Sequence, residues 1–243
     1  DRKNPVTWEV DHGSLVVPLT FKTKREGKTI EVAATTDGIN EKGLAGHTLW
    51  LSKSVYPNPD GSLPTLSLAK WLQYYLDQFA TVEQAINPEK QKFHLVPTHI
   101  GMIEGKMHLM LEDSRGDSAV IEYIDGAQHI HRGNDYSVIT NSLTCDIQSK
   151  KELALYQPWG GSLTLPGTTD SRHRFIRAWS FLNQLPKPNS ERQAIAFLLS
   201  VLRNVSYPFG DIDPFASQDE AKPSTRWRSV INLTDGDNVY YFE

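Results

Sequence analysis

The chain has 243 residues, 39% of them hydrophobic, enough for a sizeable core in one large domain or two small ones. Its 25 Lys and Arg residues against 29 Asp and Glu give a formal charge of −4, which carries no electrostatic footprint for nucleic acid or an anionic membrane. The single cysteine, Cys145, excludes an internal disulfide and any cysteine-rich zinc site, and no apolar run approaches membrane-spanning length.

The first third predicts strands. SLVVPLTF from Ser14 and GKTIEVAATT from Gly27 are rich in β-branched residues, with a turn expected around Arg25-Glu26-Gly27. Asp37-Gly38 predicts a tight turn, and LAGHTLWLS after it a buried strand whose Ala45 and Gly46 admit another backbone or a ligand. Leu68, Leu72, Tyr75, Leu76 and Phe79 then fall on one helix face. Thr81 with Gln84 reads as a capping box opening a second short helix, which Pro88 ends.

Strands return with KMHLMLED and SAVIEYIDG, joined by a hairpin turn at Ser114-Arg115-Gly116-Asp117. YSVITNS predicts one more strand, closed by Asn141. Two helices follow. Phe175, Trp179 and Leu182 share a face of the first; Ser190 and Gln193 cap the second, whose stripe is Ile195, Leu198, Leu199 and Leu202. SVINLTDGDNVYYFE predicts a final hairpin turning near Asp235-Gly236. Strand runs segregated from helix pairs favour α+β over a doubly wound sheet, and two antiparallel sheets with helices outside them fit the order.

Few residues announce chemistry by themselves. There is no G-x-S-x-G elbow and no H-E-x-x-H. His129 and His131 share a strand face, lack a third ligand nearby in sequence, and are expected to face solvent rather than a metal. Cys145 sits between Thr144 and Asp146, where an anion raises a thiol pKa, so a half-buried small hydrophobe is the simpler reading. Asn141 and Arg174 are polar residues at the ends of apolar elements, positions that usually mark a cap or a surface charge.

Four blocks in order change that weighting: DGINEKGL (Asp37 to Leu44), VITNSLT (Val138 to Thr144), LPG (Leu165 to Gly167) and RFIRA (Arg174 to Ala178). Together they resemble the choloylglycine hydrolase family, which includes penicillin V acylases and conjugated bile salt hydrolases, from about Trp8 to the C-terminal hairpin. The resemblance implies an α+β fold, the four-layer αββα sandwich of the N-terminal nucleophile hydrolases, here lacking its first strands. It implies one such domain over residues 1–243, incomplete at its N-terminus. It also implies a cysteine nucleophile exposed as residue one, its own α-amine serving as general base. Matched residue by residue, Asn141 corresponds to the family's oxyanion asparagine and Arg174 to its active-site arginine. Trp50 falls where family members vary, and is expected to line the acyl pocket.

The aromatic Trp50 and the short Asn141–Pro166 connection resemble the Gram-negative branch. Its members hydrolyse penicillin V and long-chain N-acyl homoserine lactones and act poorly on bile salts; for this chain the alternatives are a conjugated bile salt hydrolase and a non-catalytic acyl-binding homologue that lost the nucleophile. The family implies a small-molecule amide substrate, a homotetramer and no cofactor or metal, and the branch implies a periplasmic location. Residue one is Asp1, not Cys, and no residue here matches the nucleophile. Cys145 lies where the family has an aromatic. The chain is therefore expected to be a fragment of a longer protein.

Overall fold

The structure is a computed structural model, which describes residues 4–25, 27–100, 103–141, 153–209, 224–234 and 239–243. The chain forms two compact units, residues 1–137 with 233–238 and residues 138–232 with 239–243.

The first unit is built on a six-stranded sheet. Its strands are β1 (Ser14–Arg25), β2 (Lys28–Asn40), β3 (Leu44–Trp50), β8 (Met107–Asp113), β9 (Ser118–Ile124) and β10 (Ala127–Arg132), in that spatial order. Every neighbouring pair is antiparallel. Between β3 and β8 the chain makes the short β4 (Thr65–Ser67), β5 (His94–Val96), β6 (His99–Ile100) and β7 (Ile103–Glu104). It also makes helices α1 (Trp71–Gln78) and α2 (Val82–Ala85) there.

The expected face of α1 is buried in full. Leu72, Tyr75 and Leu76 are completely covered, Leu68 and Phe79 nearly so, and Trp71 joins them. Each such side chain stabilises the fold by roughly 2 kcal/mol through the water it leaves. The capping box at α2 forms. Thr81 accepts from the Gln84 N–H at 3.2 Å, while the Gln84 side chain accepts from the Ala80 N–H at 2.9 Å, one residue earlier than the standard box.

Two expectations fail within the six-stranded sheet, for identifiable reasons. Asp37-Gly38 is no turn. Both residues lie inside β2, Gly38 opposite Gly46 of β3, and the chain reverses at Glu41-Lys42-Gly43, where Gly43 takes φ +82°. Gly38 is required by close approach instead. A Cβ there would meet the Leu15 carbonyl oxygen at 2.7 Å and the Leu76 side chain at 3.0 Å. The same holds at Gly46, where a Cβ would come 2.5 Å from the Leu72 side chain and 2.9 Å from that of Leu111, ahead of the Met110 carbonyl at 3.3 Å, so side chains more than a backbone take the space.

The second correction concerns His131. It does not face solvent: its Nε2 lies 3.4 Å from Glu122 Oε2, while His108 Nδ1 lies 3.1 Å from Glu122 Oε1. Glu122 and His108 are buried, so two imidazoles on the flanking strands compensate a carboxylate that burial would otherwise make costly. The exposed residue of the pair is His129.

The second unit contains α3 (Ser171–Gln184), α4 (Glu191–Asn204) and the hairpin of β11 (Ser229–Asn232) with β12 (Val239–Phe242). The hairpin pairs as expected, and its turn near Asp235-Gly236 lies outside the described residues. Its Asn232 and Tyr241 side chains both donate to Glu191 at the start of α4, at 2.9 and 3.1 Å. Ser190 caps α4 as predicted, accepting from the Gln193 N–H at 3.2 Å. The stripe of Ile195, Leu198, Leu199 and Leu202 is only half-buried, and Val201 is the covered residue of this helix.

YSVITNS makes no strand among the described residues. Asn134–Tyr136 is a 3-10 turn, and 137–140 run without regular pairing. The β-branched residues of this stretch serve packing instead: Val138 lies against the cluster of Leu153, Tyr156, Phe175 and Ile176.

Candidate active site

The second unit gathers three of the four sequence blocks around the first turns of α3. That helix starts because Asp170 accepts from the Arg172 N–H at 2.9 Å and sets a carboxylate at the positive end of the helix dipole. It stops before Pro186, which follows the last capping residue, Leu185. Within it the two arginines of RFIR stand three residues apart, hence on one face, and both are buried.

Arg174 and Asn141, the two catalytic candidates of this unit, are brought together. Arg174 Nη2 donates to Asn141 Oδ1 at 3.0 Å, and Nε donates to the Thr169 carbonyl at 3.0 Å. The Tyr207 ring covers the guanidinium, its centroid 4.7 Å from Cζ. A guanidinium has only donors, so the amide atom facing it must be the oxygen. The Nδ2 group of Asn141 is left as the donating end, the end an oxyanion would need.

The segment carrying Asn141 is tied to α3 by its neighbour. Thr140 Oγ1 donates to the Ser171 carbonyl at 3.0 Å, and Ser171 Oγ donates back to Thr140 Oγ1 at 3.1 Å. Arg177 holds the LPG block, donating from Nη1 to the carbonyls of Pro166 and Thr168, each at 2.8 Å, and from Nε to Asn204 at 2.9 Å. Burial, and then the nearby charge of Arg174, pull Arg177 below the usual guanidinium range. Sequence reasoning missed Arg177, Thr140 and Tyr207. The i, i+3 repeat of arginine in RFIR was the available signal for Arg177; Tyr207 had none.

Trp50 belongs to the first unit. It ends β3 opposite Met107 of β8, half-buried, on the same sheet face as Gly46. Cys145 and Leu143 lie outside the described residues.

The second unit thus pairs a buried arginine with an asparagine at the start of α3. Residues 26–243 match the family model described as linear amide C–N hydrolases, choloylglycine hydrolase family, and the chain belongs to that family. It is 41% identical over 260 residues to a penicillin V acylase of Pectobacterium atrosepticum, an alignment that takes in 97% of this chain. The chain spans 64% of that relative's length. The solved penicillin V acylase of Agrobacterium tumefaciens is 40% identical and superposes with a TM-score of 0.73, covering 100% of this chain and 77% of that one. A mutant conjugated bile acid hydrolase from Clostridium perfringens, 24% identical with a TM-score of 0.67 over 97% of this chain and 82% of that one, shares the fold. The expected α+β class holds.

Proposed function

We propose that the protein hydrolyses linear amides by acyl transfer, with penicillin V and N-acyl homoserine lactones as its substrates. The observation that carries this reading is the Arg174–Asn141 bond, which turns the Asn141 amide so that its nitrogen donates. The 41% and 40% identities to penicillin V acylases favour that substrate class over conjugated bile salts.

In this reading the nucleophile is a cysteine that opens the mature protein, and its α-amine is the base. The thiolate attacks the amide carbonyl, and the oxyanion of the tetrahedral intermediate accepts from Asn141 Nδ2. The amine leaves with a proton from the α-ammonium. Water then cleaves the thioester, releasing the acid and restoring the thiol. Arg174 fixes the orientation of Asn141 and holds a positive charge beside the reacting groups. Acyl-group selection is assigned to Trp50 by the family resemblance alone.

The test is acid release by the full-length mature protein from penicillin V, from N-acyl homoserine lactones and from a taurine-conjugated bile salt, with and without thiol alkylation. Thiol-sensitive turnover of the first two above the third supports the reading. Faster turnover of the bile salt would overturn the substrate class, and no turnover of any amide would overturn the activity. Trp50→Asn is expected to alter the ranking of acyl groups while sparing turnover of the best one.

A further inference from the structure

Arg174 is 9% exposed, and among the described residues no carboxylate pairs with it. Its side-on edge is occupied: Nε donates to Thr169 and Nη2 to Asn141. Two bonds along one edge still leave the guanidinium free to rock about that edge. The face of Tyr207, 4.7 Å from Cζ, closes that remaining freedom and attracts the cation through the negative potential of its ring.

Tyr207 is itself braced. Its N–H donates to Thr225 Oγ1 at 2.8 Å, and its carbonyl accepts from the Thr225 N–H at 3.0 Å. The preceding Ser206 donates to the Leu202 carbonyl at the end of α4 at 2.6 Å and accepts from Arg228 Nε at 2.8 Å. A half-buried aromatic just past a helix end is thus pinned from both sides. Its phenol hydroxyl makes no hydrogen bond among the described residues, so the ring face is the part that is used.

We infer that Tyr207 is a positioning residue that sets the plane of the Arg174 guanidinium and, through it, the donating direction of the Asn141 amide. This rests on the amide-hydrolase reading. Loss of the ring lets the guanidinium rock, the Asn141 oxygen loses its fixed partner, and oxyanion donation weakens in the transition state more than in the ground state.

The experiment compares Tyr207→Leu and Tyr207→Phe in the full-length mature protein by steady-state kinetics on penicillin V. Arginine Nε–Hε NMR is recorded alongside, the Arg174 signal being assigned by its loss in Arg174→Lys. Tyr207→Leu is expected to lower kcat about tenfold with KM within about twofold, and to shift the Arg174 signal as the ring current disappears. Tyr207→Phe is expected to stay within about twofold in kcat and leave the signal in place. Wild-type kcat in Tyr207→Leu would overturn the inference, as would an equal kcat loss in both variants or an unmoved Arg174 signal. If the wild-type protein turns over no amide, the functional reading falls and the NMR shift alone decides whether Tyr207 orders Arg174. Should Tyr207→Leu fail to fold, Thr225→Val, which removes one brace and keeps the ring, is expected to move the same signal and lower kcat; no change in either would overturn the inference.

Discussion

Arg174 and Asn141, 33 residues apart in sequence, meet through one hydrogen bond of 3.0 Å that decides which end of the amide is free to donate. Removing the guanidinium removes both that choice and a buried positive charge. Arg174→Ala is expected to cut kcat/KM on penicillin V about a hundredfold or more. Arg174→Lys should recover little, because an ammonium cannot span Thr169 and Asn141 while lying flat on Tyr207. An unchanged rate in Arg174→Ala would show that the arginine has no part in the reaction.

Asn40 is the most heavily bonded residue of the DGINEKGL block. It is 1% exposed. Its Nδ2 donates to the carbonyls of Leu76 and Phe79, at 2.8 and 2.7 Å, while its Oδ1 accepts from the N–H groups of Lys42 and Leu44, at 3.1 and 3.0 Å. One side chain therefore finishes α1 and shapes the β2–β3 turn together. Asn40→Ala takes this partner from four backbone groups, three of them buried, and is expected to cost about 3 kcal/mol or more in urea unfolding. Asn40→Asp should cost more at neutral pH, since its carboxylate would face two carbonyl oxygens. A loss below about 1 kcal/mol in the alanine variant would refute the role.

Gly38 and Gly46 face each other across β2 and β3 beneath α1. Alanine at either should destabilise by about 1–3 kcal/mol through overpacking. Gly38→Ala should be the worse, because its Cβ meets a backbone oxygen, whereas the Cβ at Gly46 meets first the ends of two leucine side chains. Thermal melts of the two variants should rank them in that order; the reverse order would place the tighter constraint at Gly46.

His47 links three strands of the sheet. Its Nδ1 lies 2.9 Å from Asp37 Oδ1 and its Nε2 3.2 Å from Glu112 Oε2. Burial works against the imidazolium, but the charge of Glu112 and the hydrogen bonds to both carboxylates outweigh it, pushing the pKa up to about 10. A folded-state pKa above the unfolded value of about 6.5 means stabilisation that is complete below that value and fades as pH rises toward 10. The melting-temperature advantage of the wild type over His47→Gln should thus be largest near pH 6 and shrink steadily to pH 10. A constant difference across that range would show that His47 carries no bound proton there.

Much of this molecule was legible one element at a time. The i, i+4, i+7 spacing of Leu68, Leu72, Tyr75, Leu76 and Phe79, the caps at Thr81 and Ser190, and the hairpin at Ser114–Asp117 are local patterns with local causes, so each could be read from its own residues. Asp37-Gly38 misled because glycine serves both turns and close approach, and only the sheet register shows that Leu15 and Leu76 crowd it. YSVITNS misled because β-branched residues suit a strand and a packed irregular segment alike, and Val138 has helix-borne partners rather than a neighbouring strand. His131 misled because alternation assigns a face without saying what stands on the next strand, where Glu122 waits.

By itself the sequence determined α1, the hairpin of β8 and β9, the two capped helices and, through the order of four short blocks, the candidates Asn141 and Arg174. Their meeting was decided by tertiary structure alone. A hydrogen bond between residues 141 and 174, and a ring from residue 207 laid over it, depend on distances that no local pattern encodes. Periodicity reports which side of an element is apolar, while the burial of a charge and the direction of an amide are set by whichever distant segments fold against it.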